Sequence, residues 1–565
     1  MNRWDYTTDL IVVGSGGGGM TAAMTAKDNG CDALVIEKGS LYGGSTAMSG
    51  GAIWVPCNHL MEEAGIHDGA EEAVSYLKAI TRDKVPEDRL RAYVDNGPGM
   101  VRYLEKKSRV RFELVKGYSD YYPDAEGGKA EGGRTIEPVP ISGYTLKKLW
   151  HEQRQIPMQG RIFGRILPTA YEFHLMVDSS AMGRLRAAKY ILSYFLNPFR
   201  VFAKREDGRL SLGSALMARL RLSLADRGIP LWLNTEARKF ITEGEGVAGL
   251  EAVRDGRPVR IRAKKGVILA AGGFERNREM REKYHRGPVS DKWTVGNPEN
   301  TGDIIRMGQE MGAALGLMDE AWWMSTALVP GSELPYIILV ERSLAGSMMV
   351  TAKGKRFVNE AAPYIDVVNA QCTRHREGEN AIPAFLIMDR RYQKRYPIGP
   401  IMPWASPKAY IAEGFVKTAD TIEELAKKCG IDPEGLAAEV MRHNEFAGTG
   451  RDRDFKKGDS PIDRYYSDPN AKPNPCLGAL DSPPFYAIEV WPGDLGTKGG
   501  LVTDARARVL REDGSPIRGL YAVGNCSASV MGDTYAGAGA TIGPSMVFGY
   551  IAAKHAARDS QATLT

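Results

Sequence analysis

The chain's hydrophobic pattern is clearest at its start. Leu10 to Val13 is an unbroken apolar run, the mark of a parallel strand covered on both faces. Gly14, Gly16 and Gly19 follow, then helix-forming residues from Met20 to Lys27, then a second apolar run, Ala33 to Ile36, ending on Glu37. Strand, glycines, helix, strand and acid in that order predict a βαβ unit that binds a dinucleotide. Gly14 allows the tight turn, Gly16 lets the backbone approach a pyrophosphate, and Gly19 lets helix and strand pack closely. The helix N-terminus faces the phosphate charge, and Glu37 can accept from a ribose hydroxyl. At this point FAD and NAD are both open.

The pattern then changes repeatedly. Residues 41–56 are dense in glycine and hydroxyl side chains, a loop suited to wrapping a polar ligand. Ala70 to Lys107 reads as helical, and residues 117–128 as a turn-rich loop where Tyr118, Tyr121 and Tyr122 have little core to join. A helix from Ser214, a strand from Pro230 to Leu233 and a buried strand within 262–274, ending in Ala-Gly-Gly, return the chain to its first sheet. Residues 300–323 read as a turn and a helix before a second domain of mixed strands and helices. Residues 483–510 read as a hairpin-like pair of strands, 519–525 as a short strand entering a glycine turn, and 526–557 as a glycine-rich loop opening a long helix. This late return favours FAD, which lies extended across its domain and needs a distant helix N-terminus near the isoalloxazine.

The expected fold is therefore α/β. A Rossmann-like FAD-binding domain, a parallel sheet with flanking helices, is assembled from N-terminal, middle and C-terminal segments, with a second α+β catalytic or cap domain. The boundaries are 1–320, with an insertion at about 150–215, then 321–480 for the cap and 481–565 for the C-terminal return.

Composition excludes more than it assigns. A length of 565 residues, 43% hydrophobic and 25% charged, is globular, and a net charge of +5 with no basic helix interleaved with aromatics gives no case for nucleic acid. The six cysteines show no CxxC or His/Cys cluster, so no metal site or disulfide framework is expected. The first strand begins too early for a signal peptide, and no stretch approaches the roughly 20 apolar residues of a membrane span. A cytoplasmic location is expected. One segment departs from the average. From Arg154 to Arg205, Arg154, Arg161, Arg165, Arg184, Arg186, Lys189, Arg200, Lys204 and Arg205 face only Glu172 and Asp178, a local charge of +7. Apolar and aromatic runs lie between these charges, interrupted by Pro168 and Pro198. Peripheral attachment to the inner face of a membrane and packing against a protein surface both fit this pattern.

The motifs GSGGGG with Glu37, GGSTAMSGG, AAGGFERN, DEAWW, GKRFVNEAAPY, PFYAIEVWPGDLGTKGGL, GLYAVGN and TYAGAGATIG together resemble the FAD-dependent 3-ketosteroid Δ1-dehydrogenases, within the fumarate reductase-like flavoproteins. The resemblance spans nearly the whole chain apart from about 150–215. It implies non-covalent FAD, a 3-ketosteroid substrate and an external electron acceptor such as a quinone or dye. It places Tyr364 as the base that removes the C2 proton, Tyr121 as the hydrogen-bond partner of that base, and Tyr535 with the Gly539 N–H as donors to the C3 enolate oxygen, while a hydride passes from C1 to flavin N5. The cofactor contacts it implies are Gly14, Ser15, Gly16, Gly17, Gly18, Gly19, Glu37 and Lys38; Gly44, Ser45, Thr46, Ser49, Gly50 and Gly51; Ala237; Ala271, Gly272 and Gly273; Gly524 and Asn525; and Thr541 and Ile542.

Three rivals stay open at this level. A 3-ketosteroid Δ4-dehydrogenase would polarise the same ketone but act at C4 and C5. A dicarboxylate reductase would need an arginine and histidine clamp, and none of the eight histidines sits in a recognisable dicarboxylate motif. A membrane-surface electron carrier would account for the basic segment alone.

Overall fold

A computed structural model of the chain describes residues 4–157, 161–162, 165–177, 180–196, 208–403 and 405–558. Part of the basic segment, including Asp178, Pro198, Arg200, Lys204 and Arg205, lies outside the described residues.

The first apolar run extends as the strand Tyr6–Val13, the glycines open the helix Gly17–Asp28, and the second run is the strand Ala33–Ile36. These join an eight-stranded sheet in which Arg257–Leu269 lies on one side of the first strand and Ala33–Ile36 on the other. The strand Pro516–Ala522 pairs parallel with Arg257–Leu269, and Leu231–Trp232 pairs parallel with Ala33–Ile36. Register decides where the site forms. Val13 stands opposite both Leu269 and Ile36, and Leu269 stands opposite Ala522. Four parallel strands drawn from three parts of the chain thus end flush, and each then delivers a ligand-facing turn at the carboxyl edge of the sheet.

The second sheet has six strands and is antiparallel, in the order Tyr336–Ile337, Ala321–Ala327, Phe485–Thr497, Ala384–Met388, Ser347–Val350, with Lys417–Ala419 also on Phe485–Thr497. The pair of strands expected over residues 483–510 turns back only at its far end, where Thr503 bridges Val509 antiparallel. Phe485–Thr497 is one continuous strand at the centre of this sheet, and Gly500–Leu501 pairs with Leu315–Gly316 instead. Pro492, Gly493 and Asp494 resemble a turn in sequence, but Pro492 faces Ser325 across the ladder, and a Cβ on Gly493 would fall 2.3 Å from the Trp293 carbonyl oxygen. Close backbone approach, not chain reversal, accounts for that glycine.

The helical stretch is two helices, Ala70–Thr81 and Glu87–Lys107, separated where Arg82 and Asp83 adopt left-handed φ. The tyrosine loop also differs from expectation. Tyr118 and Tyr121 are buried in the main core, because Asp120 between them is locked in place. Its carboxylate accepts from Trp54 Nε1 at 2.7 Å, Lys129 N at 3.0 Å and the Arg134 guanidinium at 2.7 Å, while Arg134 also pairs with Asp68 at 2.7 Å. All three charged groups are buried.

Removing the cation from this triad would leave two buried carboxylates unpaired. Arg134→Met is expected to lower stability by about 3–5 kcal/mol, measured by denaturant unfolding of the purified protein.

Candidate active site

The flush strand ends open onto a continuous cavity of about 1540 Å³. It is lined by the glycine turn Gly14 to Gly18 and Glu37, by Ala271 to Gly273, Gly524 and Asn525, by Tyr121, Tyr364, Tyr535 and Gly539, and by an apolar chamber that includes Leu334, Ile337, Val340, Ile401 and Met402. Every cofactor and catalytic residue expected from the sequence lines it except Gly19. Gly19 is packed behind, where a Cβ would stand 2.2 Å from the Gly14 carbonyl oxygen, so it serves helix–strand packing.

The glycine end fits a dinucleotide. The N-cap Gly16 gives the helix Gly17–Asp28 no side-chain cap of its own and its first turn holds no acid, so apart from the Gly17 N–H its positive end is left to the cavity. Gly14 has φ +107, and a Cβ there would meet the Ala270 carbonyl oxygen at 2.3 Å. Glu37 is preorganised: Oε2 accepts from Ser15 N at 3.1 Å and Ser15 Oγ at 2.6 Å, and Oε1 accepts from Gly39 N at 3.0 Å. A carboxylate has about four acceptor positions, so capacity for a ribose hydroxyl remains. The hydroxyls of the next loop are partly engaged in its own architecture. Thr46 Oγ1 accepts from Gly17 N at 3.2 Å, Ser45 Oγ accepts from Asn300 Nδ2 at 3.1 Å, and Ser49 Oγ donates to the Thr46 carbonyl at 2.7 Å. Lys38 Nζ donates to Thr301 Oγ1 and Asp303 Oδ2, both at 2.7 Å.

The tyrosines come from three distant segments. Tyr121 is held by its N–H, which donates to the Ala536 carbonyl at 3.1 Å, tying its loop to the one that carries Tyr535. Tyr364 is the first residue of the helix Tyr364–Arg374, which Pro363 starts. Tyr535 precedes the helix Ile542–Arg558, and its hydroxyl lies 2.9 Å from Thr541 Oγ1. Ring centroids are 5.5 Å apart for Tyr121 and Tyr364, 5.3 Å for Tyr121 and Tyr535, and 5.1 Å for Tyr364 and Tyr535. Gly539 has φ +94, and a Cβ there would meet the Ala52 backbone at 2.6 Å. Among the described residues no acceptor takes the Gly539 N–H, so that donor is left to the cavity it lines.

Burial, the largest influence in each case, pushes the Tyr121 and Tyr364 phenols well above the ordinary range and raises Tyr535. All three are neutral donors at rest. Sequence reasoning missed two groups beside them, Tyr466 and Arg342. The Tyr118 hydroxyl lies 2.6 Å from that of Tyr466 and 3.3 Å from that of Tyr121, forming a chain of phenols. Arg342 is buried, donates to the Glu360 and Ala362 carbonyls, and has no carboxylate partner among the described residues. Burial lowers its pKa, while attraction from Tyr121, Tyr466, Asp463 and Tyr364 acts the other way. One signal for Tyr466 was present, since DRYYSD repeats the tyrosine doublet of SDYY.

With this geometry in hand, comparison with known proteins identifies the family. The chain matches the FAD binding domain family over residues 9–542. A 3-oxosteroid 1-dehydrogenase of Mycobacterium tuberculosis is 43% identical over 97% of this chain and 98% of its own. The chain belongs to the 3-oxosteroid 1-dehydrogenase family. FAD is the cofactor, and the enzyme is an oxidoreductase. The crystal structure of 3-ketosteroid delta1-dehydrogenase from Sterolibacterium denitrificans, in complex with 1,4-androstadiene-3,17-dione, superposes with a TM-score of 0.94 at 44% identity, covering 98% of this chain and 99% of that one. A 4-oxocyclohexanecarboxylate 2-dehydrogenase of Sinomonas cyclohexanicum is 35% identical over 97% of this chain and 92% of its own.

Gly14 of this 3-oxosteroid 1-dehydrogenase homologue has no room for a side chain. Gly14→Ala is expected to purify with its flavin lost or strongly depleted, read from the ratio of flavin to protein absorbance, because the new Cβ must displace the Ala270 backbone.

Proposed function

We propose that this protein removes the C1 and C2 hydrogens from ring A of a 3-ketosteroid, leaving a 1,2 double bond. The observation that carries the reading is the convergence of three buried phenols and one uncommitted backbone amide in the cavity that also holds the glycine turn and an apolar chamber. The Tyr535 hydroxyl and the Gly539 N–H donate to the C3 oxygen, stabilising the negative charge that develops when C2 loses its proton. Tyr364 takes that proton. To do so it must first give up its own phenol proton to water: a hydrogen bond from Tyr121 and the Arg342 charge, acting through the phenol cluster, favour that tyrosinate, and the C2 proton then returns it to the neutral phenol. FAD, when bound, supplies the acceptor for the hydride lost from C1. The electrons then leave to an external acceptor such as a quinone or dye.

The chamber suits a rigid apolar body. Leu334, Ile337, Val340, Ile401 and Met402 line it, and the inserted segment adds Phe173, Ala188 and Ile191. The helix Ala181–Phe195 therefore borders the cavity on one side while facing outward on another. Outward it presents Met182, Leu185, Leu192, Phe195 and Leu196, of which Leu185 and Leu196 are 62% and 73% exposed, beside exposed Arg186 and Lys189. Among the described residues no helix is long and apolar enough to cross a membrane. We assign this face to the headgroup layer of an anionic bilayer, from which apolar steroids would reach the mouth.

Two outcomes follow. Anaerobic mixing with a 3-keto-4-ene steroid is expected to bleach the oxidised flavin and yield the 1,4-diene, and Tyr535→Phe is expected to turn over about 100- to 1000-fold more slowly. Bleaching without the 1,4-diene, or a Tyr535→Phe protein at full rate, would overturn the reading. Separately, Leu185→Glu combined with Leu192→Glu is expected to abolish co-sedimentation with anionic liposomes while steroid turnover in detergent is retained; unchanged sedimentation would assign the face to a protein contact instead.

A further inference from the structure

We propose that Lys498 is a positioning residue for the oxyanion side of the site: it anchors the loop that carries Tyr535 and places a buried cation behind the Trp322–Tyr535 wall. The inference rests on the reading of Tyr535 as a donor to the C3 oxygen and goes beyond it.

Lys498 follows the long strand Phe485–Thr497, and its side chain is fully buried. Its Nζ donates to two carbonyls of the Tyr535 loop, Gly532 at 3.3 Å and Thr534, the residue directly before the phenol. The same ammonium lies 4.3 Å from the centroid of the Trp322 ring. That ring meets Tyr535 edge to face at 4.8 Å, and Trp322 Nε1 donates to Asn525 Oδ1 at 3.0 Å, on the cavity wall. Two independent contacts thus run from one cation to the Tyr535 phenol, one through the backbone and one through an aromatic face. A cation over an indole face in a dehydrated setting is strongly held, and its field adds to the stabilisation of negative charge forming beyond the ring.

Among the described residues no carboxylate forms an ion pair with Nζ. The acids that act on it from the surrounding elements are Glu320, before the strand Ala321–Ala327; Asp533, in the Tyr535 loop; and Asp366, on the tyrosine helix. Asp533 is itself paired with Arg82 and Lys84, and Asp366 accepts from Tyr122 at 3.0 Å. All three acids line a separate pocket of about 340 Å³. Burial pushes Lys498 down to about 7, against the pull of these carboxylates. A group so placed is charged below that pH and neutral above it, so its contribution is present in acid and fades as pH rises.

The test compares wild type, Lys498→Met and Lys498→Arg with a 3-keto-4-ene steroid and a dye acceptor, from about pH 5.5 to 9, spanning the lysine's shifted range. At the acid end Lys498→Met is expected to lose about 10- to 100-fold in kcat with KM unchanged, since a misplaced donor costs transition-state stabilisation. The ratio of wild-type to Lys498→Met kcat should fall as pH rises through about 7, and the ratio of Lys498→Arg to wild type should rise. Equilibrium binding of the 1,4-diene product should be the same in all three. A pH-independent ratio, equal losses in kcat and KM, or a Lys498→Met protein at full rate would overturn the proposal. Should Lys498→Met fail to fold, Glu320→Gln serves instead: losing that carboxylate lowers the lysine's pKa, so the break in kcat must move to lower pH, and an unmoved break overturns the idea. If Tyr535→Phe is itself fully active, the underlying reading fails; if Tyr535→Phe is crippled while these ratios stay flat, only the role of Lys498 fails.

Discussion

Burial of the clustered phenols is the constraint around which this site is built. A 3-ketosteroid ring must sit out of water for an enolate to be stabilised by two hydrogen bonds, since the same donors in water would compete with solvent. Yet the burial that strengthens the donors works against the base. Tyr364 is held well above the ordinary phenol range by desolvation before anything else. A tyrosine so placed can act as the proposed base only as its tyrosinate, and that forms only if the surroundings answer its negative charge. Neighbouring phenols do part of this by hydrogen bonding, and a dipole alone is a modest counterweight to a full charge in a dry cavity.

Sheet register makes that dry cavity possible. Val13, Ile36, Leu269 and Ala522 end level with one another, so the glycine turn, the ribose acid, the Ala271–Gly273 turn and the Gly524–Asn525 turn all open at one edge. The second sheet contributes the strand Ala321–Ala327, whose Trp322 walls Tyr535, and the long strand that delivers Lys498. Loops anchored on two rigid sheets hold the phenol rings about 5 Å apart, a spacing that mobile loops would not maintain.

What could be read from the sequence divides by range. The first βαβ unit was legible because every signal in it is local: an apolar run, glycine spacing and an acid at the end of the second strand. Tyr364 and Tyr535 were legible only through the motifs that surround them, since one tyrosine among 24 carries no mark of its own. Tyr466 and Arg342 were not picked out. Tyr466 meets Tyr118 across 348 positions of sequence, and Arg342 lies in a stretch with no periodicity that would flag a buried cation. The misplaced hairpin turn has the same origin. Pro492 and Gly493 signal a turn locally, and only the neighbouring strand and the Trp293 backbone show why an extended chain needs them there.

The two buried cations make the asymmetry of the chemistry visible. In the proposed mechanism negative charge must be held in two places, on the Tyr364 tyrosinate before it takes the C2 proton and on the C3 oxygen once that proton has gone. Arg342 stands with Tyr364, Tyr121 and Tyr466, on the side of the base. Lys498 stands behind Trp322 and Tyr535, on the side of the oxygen. Neither is neutralised by a contacting carboxylate among the described residues, an arrangement that costs stability and that packing alone would not favour. The difference between them follows from their chemistry. A guanidinium keeps its charge across the working pH range, so the base side is served by a fixed field; an ammonium can lose its proton when buried, so the oxyanion side alone is open to tuning by pH.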